Sequence, residues 1–235
     1  MIIEGFIKTA KKNFNKTVQE DSTGMSLTFG QTLTAGILLS KHVRNFEGEN
    51  IALVFPASVG GALAFIATSL SGKTPVGLNF IAGKDEQEWA IKTCDIKTIF
   101  TSRVFIQKAE IAEDPRMVFI EDIKEKTSKL EKMFTYFSCK LKSTQSLIQK
   151  FKECDAPDKT AIILFTSGSE SHPKGVPLTN KNIYMSIQAF STVFQPNPED
   201  KVLGTLPFFS CFWFCCMSLV AFNNGDGGRF SSKSN

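Results

Sequence analysis

Ala161-Ile162-Ile163-Leu164-Phe165-Thr166-Ser167-Gly168-Ser169-Glu170-Ser171-His172-Pro173-Lys174-Gly175-Val176 places an apolar run, a hydroxyl-rich loop and a lysine in one continuous stretch. Ala161 to Phe165 is apolar without a break, as a strand buried on both faces of a sheet should be. It ends abruptly in small hydroxyl residues and glycine. Glycine lets the backbone approach a ligand closely, and the hydroxyls of Thr166, Ser167 and Ser169 can join free N–H groups in donating to phosphate oxygens. Lys174 adds a mobile positive charge, Pro173 stiffens its approach and Gly175 leaves room behind it. Asn180 stands where a cap is needed for the helix implied by the spacing of Ile183, Ile187 and Phe190. A Walker A loop places glycine directly before its lysine and Ser or Thr directly after it, whereas here glycine follows the lysine. The stretch predicts a nucleotide site; a plain Ser/Gly surface turn would not need the Thr-Ser-Gly-Ser and Pro-Lys-Gly order.

Upstream, apolar segments alternate in type. Leu27 to Phe29 reads as a short strand, and Leu33, Ile37, Leu38 and Val43 mark a helix. Ile51 to Phe55 is a buried strand, Pro56-Ala57-Ser58 breaks it, and Val59 to Leu70 forms the next helix. No charge falls between Ile51 and Gly72, but Pro56 and the Gly60-Gly61 pair divide that run into a strand and a helix, against a membrane span. Strands follow at Pro75 to Leu78, Lys97 to Phe100 and Met117 to Ile120, with a helix over Asp85 to Thr93 that turns Trp89 inward. This alternation predicts an α/β fold: a mostly parallel sheet built from βαβ units and flanked by helices.

The 235 residues are ample for a sizeable core. A net charge of +4, with no basic run interleaved with aromatics, argues against nucleic acid as a partner. The six cysteines show no disulfide-framework spacing and follow no secretory signal, which predicts a reducing, cytoplasmic setting. Cys211, Cys215 and Cys216 cluster, yet the chain has two histidines and no Cys-x-x-Cys pair, so no metal site is expected.

Lys124 to Glu153 differs from the rest. Leu130, Met133, Phe134, Phe137 and Leu141 recur at helical spacing among lysines 124, 126, 129, 132, 140, 142, 150 and 152. Two readings stand: a solvated helix packing its apolar face onto the domain, or a docking face for an anionic bilayer or an acidic carrier protein.

Four segments in order then resemble one known group. Ser58 to Phe65, Gly72 to Phe80, Ile96 to Arg103 and the loop from Leu164 to Val176 are similar to AMP-forming adenylating enzymes. Within that superfamily the likeness is to the acyl-carrier-protein synthetase half of bacterial 2-acylglycerophosphoethanolamine acyltransferases, from about Met25 to about Phe209. The resemblance implies ATP and a fatty acid as substrates, acyl-AMP and pyrophosphate as first products, then acyl transfer to the thiol of an acyl carrier protein or CoA. It implies that Thr166, Ser167, Gly168, Ser169 and Lys174, with Gly175 behind the lysine, hold the β- and γ-phosphates bridged by Mg2+. No protein nucleophile is required, because the substrate carboxylate attacks, and no catalytic side chain is assigned.

The pattern departs from these enzymes at Leu206 to Trp213. Ser210 stands where relatives carry histidine, and Trp213 where they carry glycine. The resemblance also predicts an incomplete chain lacking the adenine-binding, ribose-binding and lid motifs. On this reading residues 1–24 are a lead-in, 25–222 an incomplete AMP-binding domain, and the Gly/Ser/Asn-rich 223–235 a disordered tail. Lys201 to Leu206 reads as a core strand, and the apolar run 202–224 as that strand with a following helix, or as a tail anchor. The alternatives to an enzyme are a catalytically inactive truncated product and a non-catalytic docking module.

Overall fold

Continuous apolar runs such as Ile51 to Phe55 are short and β-branched, so they become strands, and what lies against their two faces sets the architecture. The computed structural model describes residues 1–166, 173–193, 201–204 and 229–232. The chain opens with helix α1 (Ile2–Lys12), strands β1 (Thr17–Asp21) and β2 (Ser26–Thr28), and helix α2 (Phe29–Val43). Three βα units follow: β3 (Asn50–Val54) with α3 (Val59–Ser71), β4 (Thr74–Gly77) with α4 (Lys84–Thr93), and β5 (Thr98–Thr101) with α5 (Arg103–Lys108). Strand β6 (Met117–Phe119) leads into α6 (Ile120–Lys126), α7 (Lys129–Leu141), α8 (Thr144–Lys150) and a 3-10 turn at Lys152–Asp155. Then come β7 (Thr160–Phe165), β8 (Gly175–Thr179), α9 (Asn180–Val193), β9 (Lys201–Leu203) and β10 (Arg229–Ser232).

Six strands form one sheet in the order β6-β5-β3-β4-β7-β8, all parallel except the antiparallel edge strand β8. Its strands alternate between two cores. Ile51, Leu53 and Phe55 join the core with α1, α2, α3 and α9, whereas Ala52 and Val54 join the core under α4 and α5. The second sheet, β2-β1-β10-β9, pairs β1 antiparallel with β2 and parallel with β10. Asp21, at the end of β1, accepts the Val59 N–H at 3.0 Å, and Ser58 accepts that of Gly61 at 3.1 Å. Two side chains thus cap the start of α3 and tie the sheets together. Gly72, at φ +89°, takes the left-handed conformation that ends α3 two residues before β4.

The α/β, mostly parallel architecture agrees with the sequence reading, and the charge-free run Ile51 to Gly72 divides into β3 and α3. Among the described residues no helix is long and apolar enough to cross a membrane. Several details differ. Residues 1–24 are no lead-in: Ile3, Phe6, Ile7 and Ala10 of α1 are buried in the main core, and β1 is a sheet strand. Trp89 is 41 % exposed, because α4 meets the sheet through the smaller Ala90 and Ile91. In the segment expected to be disordered, Arg229–Ser232 forms β10, whose backbone is paired on both sides by β1 and β9. Of the expected strand Lys201 to Leu206, Lys201–Leu203 is β9, but it belongs to the smaller sheet. The Leu206–Trp213 departure, the cysteines 211, 215 and 216, and the rest of the 202–224 run lie outside the described residues. Cys94, Cys139 and Cys154 are free thiols, and burial raises the pKa of each.

The start of α1 is held by the distant 3-10 turn Lys152–Asp155. Buried Asp155 accepts the backbone N–H groups of Ile3 and Glu4, both at 3.0 Å, satisfying two of the helix's orphan donors. Asp155→Ala is expected to cost about 2 kcal/mol of unfolding free energy, read as a lower urea midpoint. An unchanged midpoint would mean that water replaces the carboxylate without loss.

Candidate functional site

The stretch Ala161 to Val176 begins as the strand its sequence predicted. Ile162 and Leu164 of β7 point into the main core, and Ile163 and Phe165 pack against the opposite one. Pairing of Val76 with Ile163 and Gly77 with Leu164 fixes the height at which β7 leaves the sheet. The parallel strands β3, β4, β5 and β7 therefore end along one edge. Segments leaving that edge include Pro56 to Ser58, Asn79, Ser102 and Thr166. Ligands of open α/β sheets bind outside such carboxyl ends, where polar turns replace buried backbone.

The sequence reading assigned no element between Gly175 and the helix capped at Asn180. The structure inserts β8 there. Gly175 pairs with Phe165, Val176 with Leu164 and Pro177 with Ile163, so β7 and β8 form an antiparallel pair. The Thr166 N–H donates to the Lys174 carbonyl at 3.1 Å and closes the loop's mouth. Thr166 and Lys174 are thereby brought together on adjacent strands, both exposed. Pro177 and Gly175 hid β8 from periodicity, but a proline is tolerated on an edge strand. A Cβ on Gly175 would stand 3.2 Å from the Phe165 ring, so glycine lets β8 lie close to β7 beneath the lysine. Ser167, Gly168 and Ser169 lie outside the described residues.

Asn180 is not the cap. It is buried in the first turn of α9, and its amide donates to the carbonyls of Cys154 at 3.3 Å and Ala156 at 2.9 Å. Capping falls to Thr179, whose hydroxyl accepts the Asn182 N–H at 3.1 Å, while Asn182 Oδ1 accepts the Thr179 N–H at 3.0 Å. This reciprocal pair is a capping box with asparagine in the usual Glu/Gln place. Thr-x-x-Asn was its available sequence signal. The hairpin and its exit are thus anchored at Thr166, at Thr179 and through Asn180.

At the far end of the same edge, Glu121 accepts the Ser102 hydroxyl at 2.6 Å and the Arg103 N–H at 3.0 Å. Burial alone would raise the Glu121 carboxyl, but these hydrogen bonds outweigh it and hold the carboxyl below its usual range. Arg103 also holds Asp122 at 3.1 Å and lies 4.0 Å over the Phe119 ring, so its charge is internally committed. Lys174 makes no ion pair among the described residues, and both it and Thr166 are exposed where their backbones pair. An exposed ammonium and hydroxyl at the mouth of a Ser/Gly loop suit a polyphosphate. Among the described residues no group of three or more His, Cys, Asp or Glu side chains could hold a metal ion.

The fold is that of an α/β protein whose mostly parallel sheet carries the Thr166–Lys174 hairpin at its carboxyl edge. Residues 6–229 match the profile of the AMP-binding enzyme family, and the chain belongs to that family. It is 28 % identical over 163 residues to the oxalate–CoA ligase of Arabidopsis thaliana, covering 69 % of this chain and 31 % of the relative. Over 81 residues it is 36 % identical to long-chain-fatty-acid–CoA ligase 5 of Rattus norvegicus, covering 30 % of this chain and 12 % of that one. Its fold resembles the o-succinylbenzoate CoA synthetase of Bacillus subtilis solved with an acyl-adenylate intermediate (TM-score 0.76, 16 % identity, 98 % of this chain and 55 % of that one). The chain spans about a third of the length of the first curated relatives it matches.

Thr179→Ala is expected to remove the cap of α9 and cost about 1 kcal/mol, measured as a shift in chemical denaturation. Asn182→Ala should cost a similar amount, and the double variant less than the sum, because both act on one box. Fully additive losses would contradict the reciprocal cap.

Proposed function

We propose that this chain forms the phosphate-binding part of an AMP-forming acid–thiol ligase that activates a fatty acid. The observation that carries the reading is the hairpin closed from Thr166 N–H to Lys174 C=O, which sets an exposed threonine and an exposed lysine on adjacent strands at the carboxyl edge of a parallel sheet. Membership of the AMP-binding enzyme family supports it, and so do relatives named as CoA ligases, one of them for long-chain fatty acids.

In this reading ATP lies with its β- and γ-phosphates against Thr166, Ser167, Gly168, Ser169 and Lys174. The fatty-acid carboxylate attacks the α-phosphorus, the bond to the bridging oxygen breaks, and acyl-AMP and pyrophosphate result. Negative charge builds on the departing pyrophosphate, so preorganised N–H, hydroxyl and ammonium donors stabilise the transition state more than the ground state. Mg2+ accompanying the nucleotide would offset the charge on its phosphates. Lys174 acts as a point charge on a flexible stem and can follow the phosphate as the bond breaks. A carrier thiol, of CoA or an acyl carrier protein, then attacks the acyl carbonyl and loses its proton, and the acyl–phosphate bond breaks to release AMP and leave a thioester. The acyl-carrier-protein branch of the family is favoured by the four segments Ser58 to Phe65, Gly72 to Phe80, Ile96 to Arg103 and Leu164 to Val176. A cytoplasmic setting goes with these substrates.

The test is fatty-acid-dependent exchange of label between pyrophosphate and ATP. The chain is mixed with a separate polypeptide bearing the remaining two-thirds of a long-chain-fatty-acid–CoA ligase, with the intact ligase as control. Exchange that requires both polypeptides and the fatty acid is expected. Exchange by the intact control alone would overturn the reading.

A further inference from the structure

Helix α7 is turned the wrong way round for a core helix. At about 100° per residue, Leu130, Met133, Phe134, Phe137 and Leu141 fall within an arc roughly 100° wide, the stripe that ordinarily faces the core. Their exposures are 73, 54, 77, 51 and 81 %, in that order. The helix is instead buried through Thr135 and Cys139, on the opposite side, where it meets α2. Its position is fixed from several directions. The Lys11 amine donates to the carbonyls of Cys139, Lys140 and Lys142 at 2.8, 2.8 and 2.7 Å, and Tyr136 stacks edge-on to Phe14 at 5.3 Å. Lys41 pairs with Glu131 at 2.8 Å. The small-residue side is therefore held inward, and the apolar stripe stands clear as a ridge.

Charge surrounds that ridge with one sign. Lys129 and Lys140 form the shoulder beside Met133, and Lys124, Lys126, Lys132 and Lys142 lie exposed just before, within and after the helix. Residues 124–152 contain eight lysines against two acids, Glu125 and Glu131, and Glu131 is already paired. The local field is strong enough to be felt by a lysine: Lys150 is held below its ordinary pKa by burial first, then by repulsion from Lys142, Lys41 and Arg44.

We infer that the outward face of α7, with its lysine shoulder, docks on an anionic lipid bilayer. The ridge is about 20 Å long and 10 Å wide, well short of the ~800 Å² per partner that a stable protein interface needs. A bilayer demands no matching surface: flexible Leu, Met and Phe side chains enter the acyl boundary, while lysines bury their stems and keep their ammonium groups among anionic headgroups. The inference rests on α7 alone and does not depend on the ligase reading.

The test is co-sedimentation of the full chain with vesicles of equal parts phosphatidylglycerol and phosphatidylcholine. Binding is expected, with at least about a tenfold loss on raising salt from about 0.05 to about 0.5 M. A loss of about tenfold is also expected in Phe134→Ser/Phe137→Ser and in Lys129→Glu/Lys140→Glu. These side chains are exposed, so the urea midpoint of each variant should match the parent chain. Equal binding to pure phosphatidylcholine, or binding unchanged in both variants, would overturn the inference. So would two results without vesicle binding: retention on immobilised acyl carrier protein, assigning the face to a protein partner, or a concentration-dependent dimer lost in the Phe variant, assigning it to a second copy.

Discussion

Strand β7 has to satisfy two cores at once, and much of the candidate site follows from that constraint. Ile162 and Leu164 are buried in the main core, while Ile163 and Phe165 pack, partly buried, against the opposite one, so all four positions favour apolar residues. The strand can change character only where it leaves the sheet. That point is Thr166, and its register with β4 sets it level with the other carboxyl ends. The sequence beyond it is rich in hydroxyl residues, and Lys174 returns on the adjacent strand. The antiparallel return through β8 gives the loop a closed mouth, which a loop running directly into a helix would lack.

Long apolar elements were the legible part of the fold. Ile51 to Phe55 and Val59 to Leu70 appear within a residue of where periodicity put them, because Pro56 and the capping Ser58 mark the break between them. Pairing across the sheets was not legible: nothing in β6 announces that the chain returns past three strands to place β7 beside β4. Tertiary pairing also made a strand of Arg229–Ser232, whose composition suggests none. At the site, the run to Thr166 and the lysine were readable as types in order. The missed strand β8 and the transfer of the cap from Asn180 to Thr179 share one cause: Gly175 and Pro177 mask strand character, and Asn180 is drawn inward to carbonyls of the 3-10 turn, far away in sequence.

Periodicity gives a helix face but not its direction, and α7 illustrates the difference. A core-facing stripe was the simpler expectation from Leu130 to Leu141, yet Thr135 and Cys139 are the residues that α2 covers. Small side chains allow the two helices a close approach, and Lys11 holds the last turn in place. The Thr166–Lys174 hairpin and the α7 face thus depend on different parts of one scaffold, the first on the carboxyl edge of the large sheet and the second on the outer side of α2.

The central claim is that the mouth between Thr166 and Lys174 binds phosphate. Calorimetric titration of ATP with Mg2+ into the chain and into Lys174→Ala tests it most directly. The account predicts saturable binding that weakens at least about tenfold when the ammonium is removed, with the unfolding midpoint unchanged because Lys174 is exposed. Equal affinity in the two proteins would contradict it.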